Sequence, residues 1–197
     1  MSLVTKCNKM AKAILKSLPE DLSFHNTDHT QYVVEGVQII GEKSYDLSKE
    51  EIEILKIAAW YHDTGFIKKR NGHEFVSKKF ARNFLKVNGY SDDKIKQVCC
   101  CIEATRLDKN PESKLEKVIS DADLRHLSDQ KYPLFAEKLR IELEATSGLK
   151  ISKEEWIREN IYFLKNHRYY TPYGRQVLEK RKQDNIEKLK RMLPQFL

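Results

Sequence analysis

The sequence contains little glycine or proline and no long hydrophobic run. Only 7 glycines and 5 prolines occur among its 197 residues, and both residue types disfavour helix interiors. No apolar stretch approaches the roughly 20 residues that a membrane-spanning helix requires. The first eighteen residues interleave lysines with apolar side chains, unlike the continuous apolar centre of a signal peptide. These absences favour a helical, cytoplasmic protein with no membrane partner.

Cysteines are few, and their spacing offers no framework for disulfides. The 4 cysteines are Cys7 and the adjacent residues 99–101, with no CxxC pair. Such usage is typical of a reducing compartment. Three adjacent side chains on a helix point in three directions, so these cysteines are predicted to pack rather than to bind zinc.

The charge balance favours an anionic partner. The chain carries 36 Lys and Arg against 29 Asp and Glu, a formal charge of +7, which attracts polyphosphates, nucleotides and nucleic acids. The two signs are interspersed, as on an ordinary solvated surface. The sequence also lacks the stripe of basic and aromatic residues typical of single-strand binders. A small phosphorylated ligand is therefore favoured over a nucleic acid.

Apolar residues recur at helical spacing through most of the chain, and no segment alternates with a period of two. This pattern predicts an all-α, single-domain bundle over residues 1–197 with about eight or nine helices. Capping boxes are expected at Ser48 with Glu51 and at Ser152 with Glu155. Gly65 is expected to supply a left-handed cap. The predicted helices span approximately 3–18, 27–42, 49–61, 73–87, 92–104, 115–123, 132–145, 152–164 and 172–193.

Four short motifs combine histidines and carboxylates at predicted helix boundaries. They occupy residues 24–30, 61–66, 73–77 and 121–124. A neutral imidazole beside a carboxylate, as in His62 and Asp63, suits Mn²⁺, Fe²⁺, Co²⁺, Ni²⁺ or Zn²⁺. A His-Asp pair alone is common by chance, so the ordered set of motifs is the informative feature.

In this order the motifs resemble those of the HD superfamily of metal-dependent phosphohydrolases, whose pattern is a His, a His-Asp pair and a distant Asp. The resemblance implies an HD-type metal-binding core over about residues 20–128, with C-terminal helices over residues 131–197 packed on it. It also implies one divalent metal ion (Mn, Mg, Co, Ni, Fe or Zn). The implied ligands are His29, His62, Asp63 and Asp123.

Two of these ligands are choices between neighbours. His29 is preferred to His25 because it matches the second histidine of the family's segment, and His25 then resembles an outer histidine that protonates a leaving oxygen or holds phosphate. Asp123 is preferred to Asp121 because it precedes the leucine of an Ala-Asp-Leu triplet. Asp121 is expected to fix a histidine tautomer from outside the ligand set.

His73 and Glu74 admit two interpretations. In dinuclear relatives a histidine at a similar position binds a second metal together with a histidine on the next helix. That later position falls within residues 101–105 here, which contain no histidine. One metal is therefore favoured, with His73 or Glu74 orienting water or phosphate. Alternatively, Glu74 merely offsets the dipole of its helix.

Basic residues near the motifs are candidates for phosphate binding. Lys68, Lys69 and Arg70 form a basic loop after the His-Asp pair. Before the last helix, His167 or Arg175 is expected to line the site, unless this segment is an ordinary capped turn. His126 follows Asp123 by three residues and either borders the pocket or is structural, and the structural role is favoured.

The favoured function is hydrolysis of a phosphoester or pyrophosphate bond in a small metabolite or nucleotide by a metal-activated water. One alternative is a regulatory module that binds metal and nucleotide with little turnover. Another is a basic nucleic-acid-binding helical domain. Homo-oligomerisation is left open.

Overall fold

The computed structural model describes residues 1–193 and is built from helices. That part of the chain contains nine α-helices and no β-strand, which confirms the all-α prediction. The predicted C-terminal region extends to residue 197, and its last four residues lie outside those described. The helices are α1 Leu3–Leu15, α2 Thr27–Ser44, α3 Lys49–Tyr61, α4 His73–Val87, α5 Asp92–Glu103, α6 Lys114–Asp123, α7 Tyr132–Ser147, α8 Lys153–Asn166 and α9 Glu179–Met192.

Local chemistry sets several helix starts. At α3 the Ser48 hydroxyl accepts the N–H of Glu51, and the Glu51 carboxylate accepts the N–H of Ser48 at 2.9 Å. This reciprocal pair is the predicted capping box. At α8 the Ser152 hydroxyl accepts the N–H of Glu155 at 3.2 Å. Only this half of the second predicted box is formed.

The prediction for Gly65 was wrong. Gly65 lies in a 3-10 turn, Thr64–Ile67, and the positive φ angles belong to Gly72, Gly89 and Gly148 among the described residues. A Cβ at Gly65 would overlap the carbonyl oxygen of His73. Glycine is therefore required because the first turn of α4 packs directly against the turn that follows α3.

The two ends of the chain also differ from expectation. The first helix ends at Leu15 rather than near residue 18, where the chain enters the turn before Pro19. The last predicted helix contains a π-helical turn, Gly174–Leu178, before α9. A Cβ at Gly174 would overlap the carboxylate of Asp121, so this segment lies tightly against the end of α6.

Helix α3 lies at the centre of the larger of two hydrophobic clusters. Its residues Ile57, Trp60 and Tyr61 are buried among side chains of α1, α2, α5 and α6. Cys99 and Cys101 are buried within this cluster and Cys100 is exposed, as expected for packing residues.

A second, smaller cluster holds the C-terminal helices together. It combines the 3-10 turn Leu124–Ser128 with residues of α7, α8 and α9. Within the described part, no helix has both the length and the apolar character needed to cross a bilayer. The buried members of the cluster are Leu127, Tyr132, Ala136, Ile157, Leu164, Ile186 and Leu189.

Candidate metal centre

Three helix ends bring two histidines and two aspartates together. His29 lies in the first turn of α2, His62 and Asp63 follow α3, and Asp123 ends α6. The Nε2 atom of His29 lies 3.1 Å from Oδ1 of Asp123 and 3.4 Å from Oδ2 of Asp63. The Nε2 atom of His62 lies 3.1 Å from Oδ2 of Asp63 and 3.4 Å from Oδ1 of Asp123. All four side chains thus face one point.

Local hydrogen bonds orient these side chains. The Asn26 side chain caps α2 by accepting the N–H groups of Asp28 and His29. The carbonyl oxygen of Ala59 lies 2.8 Å from Nδ1 of His62. Because a carbonyl only accepts, Nδ1 carries the proton and Nε2 is left with a free lone pair. A carbonyl behind a metal-binding histidine fixes its tautomer in this way.

The cluster has the properties of a cation site. His62 Nε2 and Asp63 Oδ2 are buried, and neither forms a hydrogen bond within the described residues, although they are 3.1 Å apart. Buried polar atoms without partners are uncommon and need an explanation. One ligand atom each from His29, His62 and Asp123 lies within 4.8 Å of the others. Imidazole and carboxylate donors in this arrangement fit a divalent cation.

The electrostatics of the cluster favour positive charge. Burial opposes ionisation of Asp63 and Asp123, yet the neighbouring histidines hold the pKa of both carboxyl groups well below the usual range. Burial likewise lowers the pKa of His62, but the two carboxylates raise it well above its ordinary value. The cluster therefore binds either protons or a cation, and the two compete.

The first turn of α4 lies directly beside Asp63. The Nε2 atom of His73 is 3.3 Å from Oδ1 of Asp63 and 3.7 Å from the Glu74 carboxylate. The Ser77 hydroxyl donates to the His62 carbonyl at 2.6 Å and accepts the Gly65 N–H at 2.8 Å. Helix α4 is thereby fixed to the turn that carries the His-Asp pair.

A cavity of about 520 Å³ adjoins the cluster. Asp63 and Asp123 are part of its wall, and so are four of the residues singled out from the sequence: His25, Arg70, His73 and Glu74. The rest of the wall is largely apolar. It includes Phe24, Phe66, Leu107, Leu124, Leu139, Leu143 and Phe163.

Four predicted phosphate-binding residues are not brought to this cavity. Among residues 1–193, its wall does not include Lys68, Lys69, His167 or Arg175. Lys68 and Lys69 are exposed, and the Lys69 ammonium lies 5.7 Å from the centre of the Phe75 ring.

His167 and Arg175 belong to a structural turn. The Nδ1 atom of His167 lies 3.4 Å from the Lys182 ammonium, and burial together with that charge lowers the pKa of His167 to about 3. Arg175 is exposed and donates weakly to the Tyr169 carbonyl at 3.4 Å. The expectation that this segment lines the site is corrected accordingly.

Asp121 does not contact a histidine as expected. Its carboxylate accepts the N–H groups of Tyr170 and Thr171 at 2.8 and 2.9 Å and the Thr171 hydroxyl at 2.7 Å. Successive helix positions point in different directions, so Asp121 and Asp123 serve different neighbours. Asp121 anchors the segment before the last helix to the end of α6.

Sequence reasoning missed Glu142 and underrated His126. The Glu142 carboxylate is buried, and Nδ1 of His25 lies 2.5 Å from it. Glu142 lies three positions after Leu139, which lines the cavity, and a carboxylate at that helical spacing from an apolar residue was a usable signal. His126 lines the cavity, and burial followed by the charge of His29 lowers its pKa to about 4.

The family comparison covers the segment that carries the cluster. A model of the HD domain matches residues 26–127, slightly more than half of the chain. No curated protein and no solved structure was found to match. The matched segment contains His29, His62, Asp63 and Asp123 in the family's order. The chain therefore belongs to the HD superfamily of metal-dependent phosphohydrolases.

Proposed function

We propose that this protein hydrolyses a phosphoester or pyrophosphate bond of a small phosphorylated metabolite or nucleotide. The proposal rests on one observation: a cation-binding cluster adjoins a cavity that also contains His25 and Arg70. We assign one divalent cation to His29, His62, Asp63 and Asp123. When bound, such a cation lowers the pKa of water and neutralises charge on phosphoryl oxygens.

Three residues around the cavity have the chemistry to assist hydrolysis. Arg70 is positioned to bind phosphoryl oxygens, since a guanidinium offers several donors in one plane. His25 points Nδ1 at Glu142, which leaves Nε2 to protonate the leaving oxygen. His73 is held by the Arg70 carbonyl at 2.9 Å and lies beside Asp63, where it orients the attacking water or the phosphate.

The apolar wall supports a substrate with an apolar or aromatic part. Phe24 and Phe163 lie on the wall together with two leucines of α7. Aromatic faces stack on flat rings, which suits the base of a nucleotide.

A single cation is supported by the absence of histidine from residues 101–105. Cysteine usage supports placement in the cytoplasm.

The first experiment is metal analysis of the purified protein, followed by a screen for phosphate release. The screen uses nucleotides, cyclic nucleotides and phosphorylated metabolites with Mn²⁺, Mg²⁺, Co²⁺ or Ni²⁺. Asp63→Ala is expected to lose both bound metal and activity. Asp184→Ala, which removes an exposed carboxylate from α9, is the matched control and is expected to retain both. Unchanged metal content in Asp63→Ala would contradict the ligand assignment.

His25→Ala separates the two histidines of the first motif. It is expected to retain metal and to slow hydrolysis, because His25 is assigned to the leaving group and His29 to the cation. Loss of metal in this variant would mean that their order is reversed. Tight nucleotide binding without phosphate release in the wild type would instead support a regulatory module.

A further inference from the structure

A single buried carboxylate joins two cavity residues that are far apart in sequence. Glu142 lies on α7, outside the segment matched by the family model, and its side chain is fully buried. One oxygen, Oε2, accepts the N–H groups of Phe24 and His25 at 2.8 and 2.9 Å. The other, Oε1, accepts from Nδ1 of His25 at 2.5 Å and from Arg70 at 3.1 Å.

Four donors around one buried carboxylate keep it charged. Burial raises the pKa of Glu142, but hydrogen bonding and the charge of His25, with the two backbone N–H groups, lower it overall. Charge-assisted hydrogen bonds of this kind are stronger than those between neutral groups, and they fix the orientation of both partners. A carboxylate without donors would be strongly destabilising at this position.

This arrangement fixes both the backbone and the ring of His25. The backbone N–H and Nδ1 are bound to the same carboxylate, and the ring stacks on Phe66 with centroids 4.5 Å apart. Since Nδ1 must carry a proton to donate, Nε2 is the nitrogen that can reach a ligand. A carboxylate that orients an imidazole and stabilises its protonated form is an established device in enzymes.

Arg70 is bound to the same oxygen as His25. Its Nη1 donates to Oε1 of Glu142 at 3.1 Å and to the Thr146 hydroxyl at 3.1 Å. The guanidinium and the imidazole are therefore neighbours on one side of the cavity, although 45 positions separate them in sequence. Loss of Glu142 would release both groups at once.

We infer that Glu142 is a positioning residue that holds His25 and Arg70 toward the same phosphoryl group, with Nε2 of His25 toward the leaving oxygen. The inference rests on the proposed phosphohydrolase function. As the bond between phosphorus and the leaving oxygen breaks, that oxygen takes the Nε2 proton of protonated His25. The attacking water gives its oxygen to phosphorus and releases a proton that restores the imidazolium. Glu142 keeps its charge throughout.

A purely structural role for Glu142 makes a different prediction. If the carboxylate only ties α7 to the loop before α2, its loss slows every substrate equally. If it positions a general acid, its loss lowers the rate of hydrolysis most for a substrate whose leaving group needs protonation. General acid catalysis typically contributes about 10²–10⁴-fold. The dependence on the leaving group therefore distinguishes the two roles.

The test is Glu142→Gln in the metal-loaded 197-residue chain, with phenyl phosphate and 4-nitrophenyl phosphate as substrates. For phenyl phosphate, whose leaving oxygen needs the proton, kcat is expected to fall by about 10²-fold. For 4-nitrophenyl phosphate the fall is expected to be less than about 10-fold, because that leaving group departs as an anion. Bound metal is expected to be unchanged. Equal falls for both substrates would overturn the inference.

Glu137→Gln is the matched control. It makes the same change on the same helix, where Glu137 is paired with Arg140 and half-exposed. Its kcat is expected to match the wild type with both substrates. If Glu142→Gln fails to fold by circular dichroism, Glu142→Asp replaces it. Aspartate retains the charge, but its shorter side chain leaves the carboxylate farther from His25. The same preferential loss with phenyl phosphate is therefore expected, and equal losses again overturn the inference.

A second measurement does not depend on activity. Ring nitrogen NMR of the zinc-loaded protein, with His25→Asn to assign the signal, is expected to show Nδ1 of His25 protonated in the wild type and in Glu137→Gln. The Glu142 variant is expected to lose that preference. An unchanged tautomer would overturn the positioning role. If the tautomer responds but the wild type releases no phosphate from any substrate, positioning stands and the proposed function fails.

Discussion

Replacing His167 by Asn is expected to change how stability depends on pH. His167 is partly buried at the end of α8, and its ring meets the Tyr169 ring edge-on at 4.6 Å. Lys182, whose side chain is fully buried, donates to the His167 carbonyl at 2.6 Å. Burial and the charge of Lys182 lower the pKa of His167 from 6.5 to about 3.

The direction of this pH dependence follows from the pH at which His167 binds a proton in the unfolded and in the folded protein. Below pH 6.5 the unfolded chain binds a proton at His167, whereas the folded protein does so only near pH 3. The contribution of His167 to the free energy of unfolding is therefore fully present above the pKa of the unfolded chain. It decreases as the pH falls from that value towards the pKa of the folded protein. At about pH 5 the loss is roughly 2 kcal/mol for a fully buried ring. Because the ring is partly exposed, about 1–2 kcal/mol is expected.

The measurement is urea unfolding of the wild type and His167→Asn, both free of metal, at about pH 7.5 and about pH 5. Other histidines change the stability of both proteins alike between these pH values: His126, whose pKa is lowered, decreases it at the lower pH, and His62, whose pKa is raised, increases it. The wild type is expected to lose about 1–2 kcal/mol more than the variant. Equal losses would show that His167 is readily protonated in the folded protein. His167 could then act as a cation after all.

Two further predictions concern the metal centre. Gly65→Ala adds a methyl group that overlaps the His73 carbonyl and lies 2.9 Å from the Ser77 nitrogen. Helix α4 must shift, so unfolding in urea is expected to show a loss of about 2–4 kcal/mol. Gly89→Ala is the control: its methyl meets open space, so its cost is only the roughly 1–2 kcal/mol of placing alanine at a positive φ. A loss in Gly65→Ala no greater than in this control would refute the packing argument. Separately, Mn²⁺ at about 100 times its Kd is expected to stabilise the wild type by about 2.7 kcal/mol in the same assay. Asp63→Ala is expected to show no such gain, and a similar gain would argue that Mn²⁺ binds elsewhere.

The helices were predictable because their limits depend on neighbouring residues. The α4 limits of residues 73 and 87 follow from an apolar stripe between two glycine-containing turns, and the structure has the same limits. The start of α3 follows from the reciprocal bonds of Ser48 and Glu51. Because the motifs sit at such limits, the sequence also placed the residues of the cluster at helix ends.

The contacts around the cavity were not predictable from local patterns. Glu142 meets the loop before α2 across 117 positions of sequence, and no spacing rule links residues so far apart. Asp121 was assigned to a histidine, but it binds Thr171 across 50 positions. Three basic residues in a row gave no means of choosing Arg70 over Lys68 and Lys69. Tertiary packing decides which side chain in such a loop turns inward.

The position of the cavity wall has an evolutionary consequence. Leu139, Leu143 and Phe163 lie beyond residue 127, where the match to the HD domain ends. One stretch of the gene therefore encodes the residues of the cluster, and a later stretch encodes one apolar part of the surface that a ligand would meet. Mutations in α7 and α8 can reshape that surface while the cluster is preserved. Relatives with the same motifs can thus diverge in the molecules they accept.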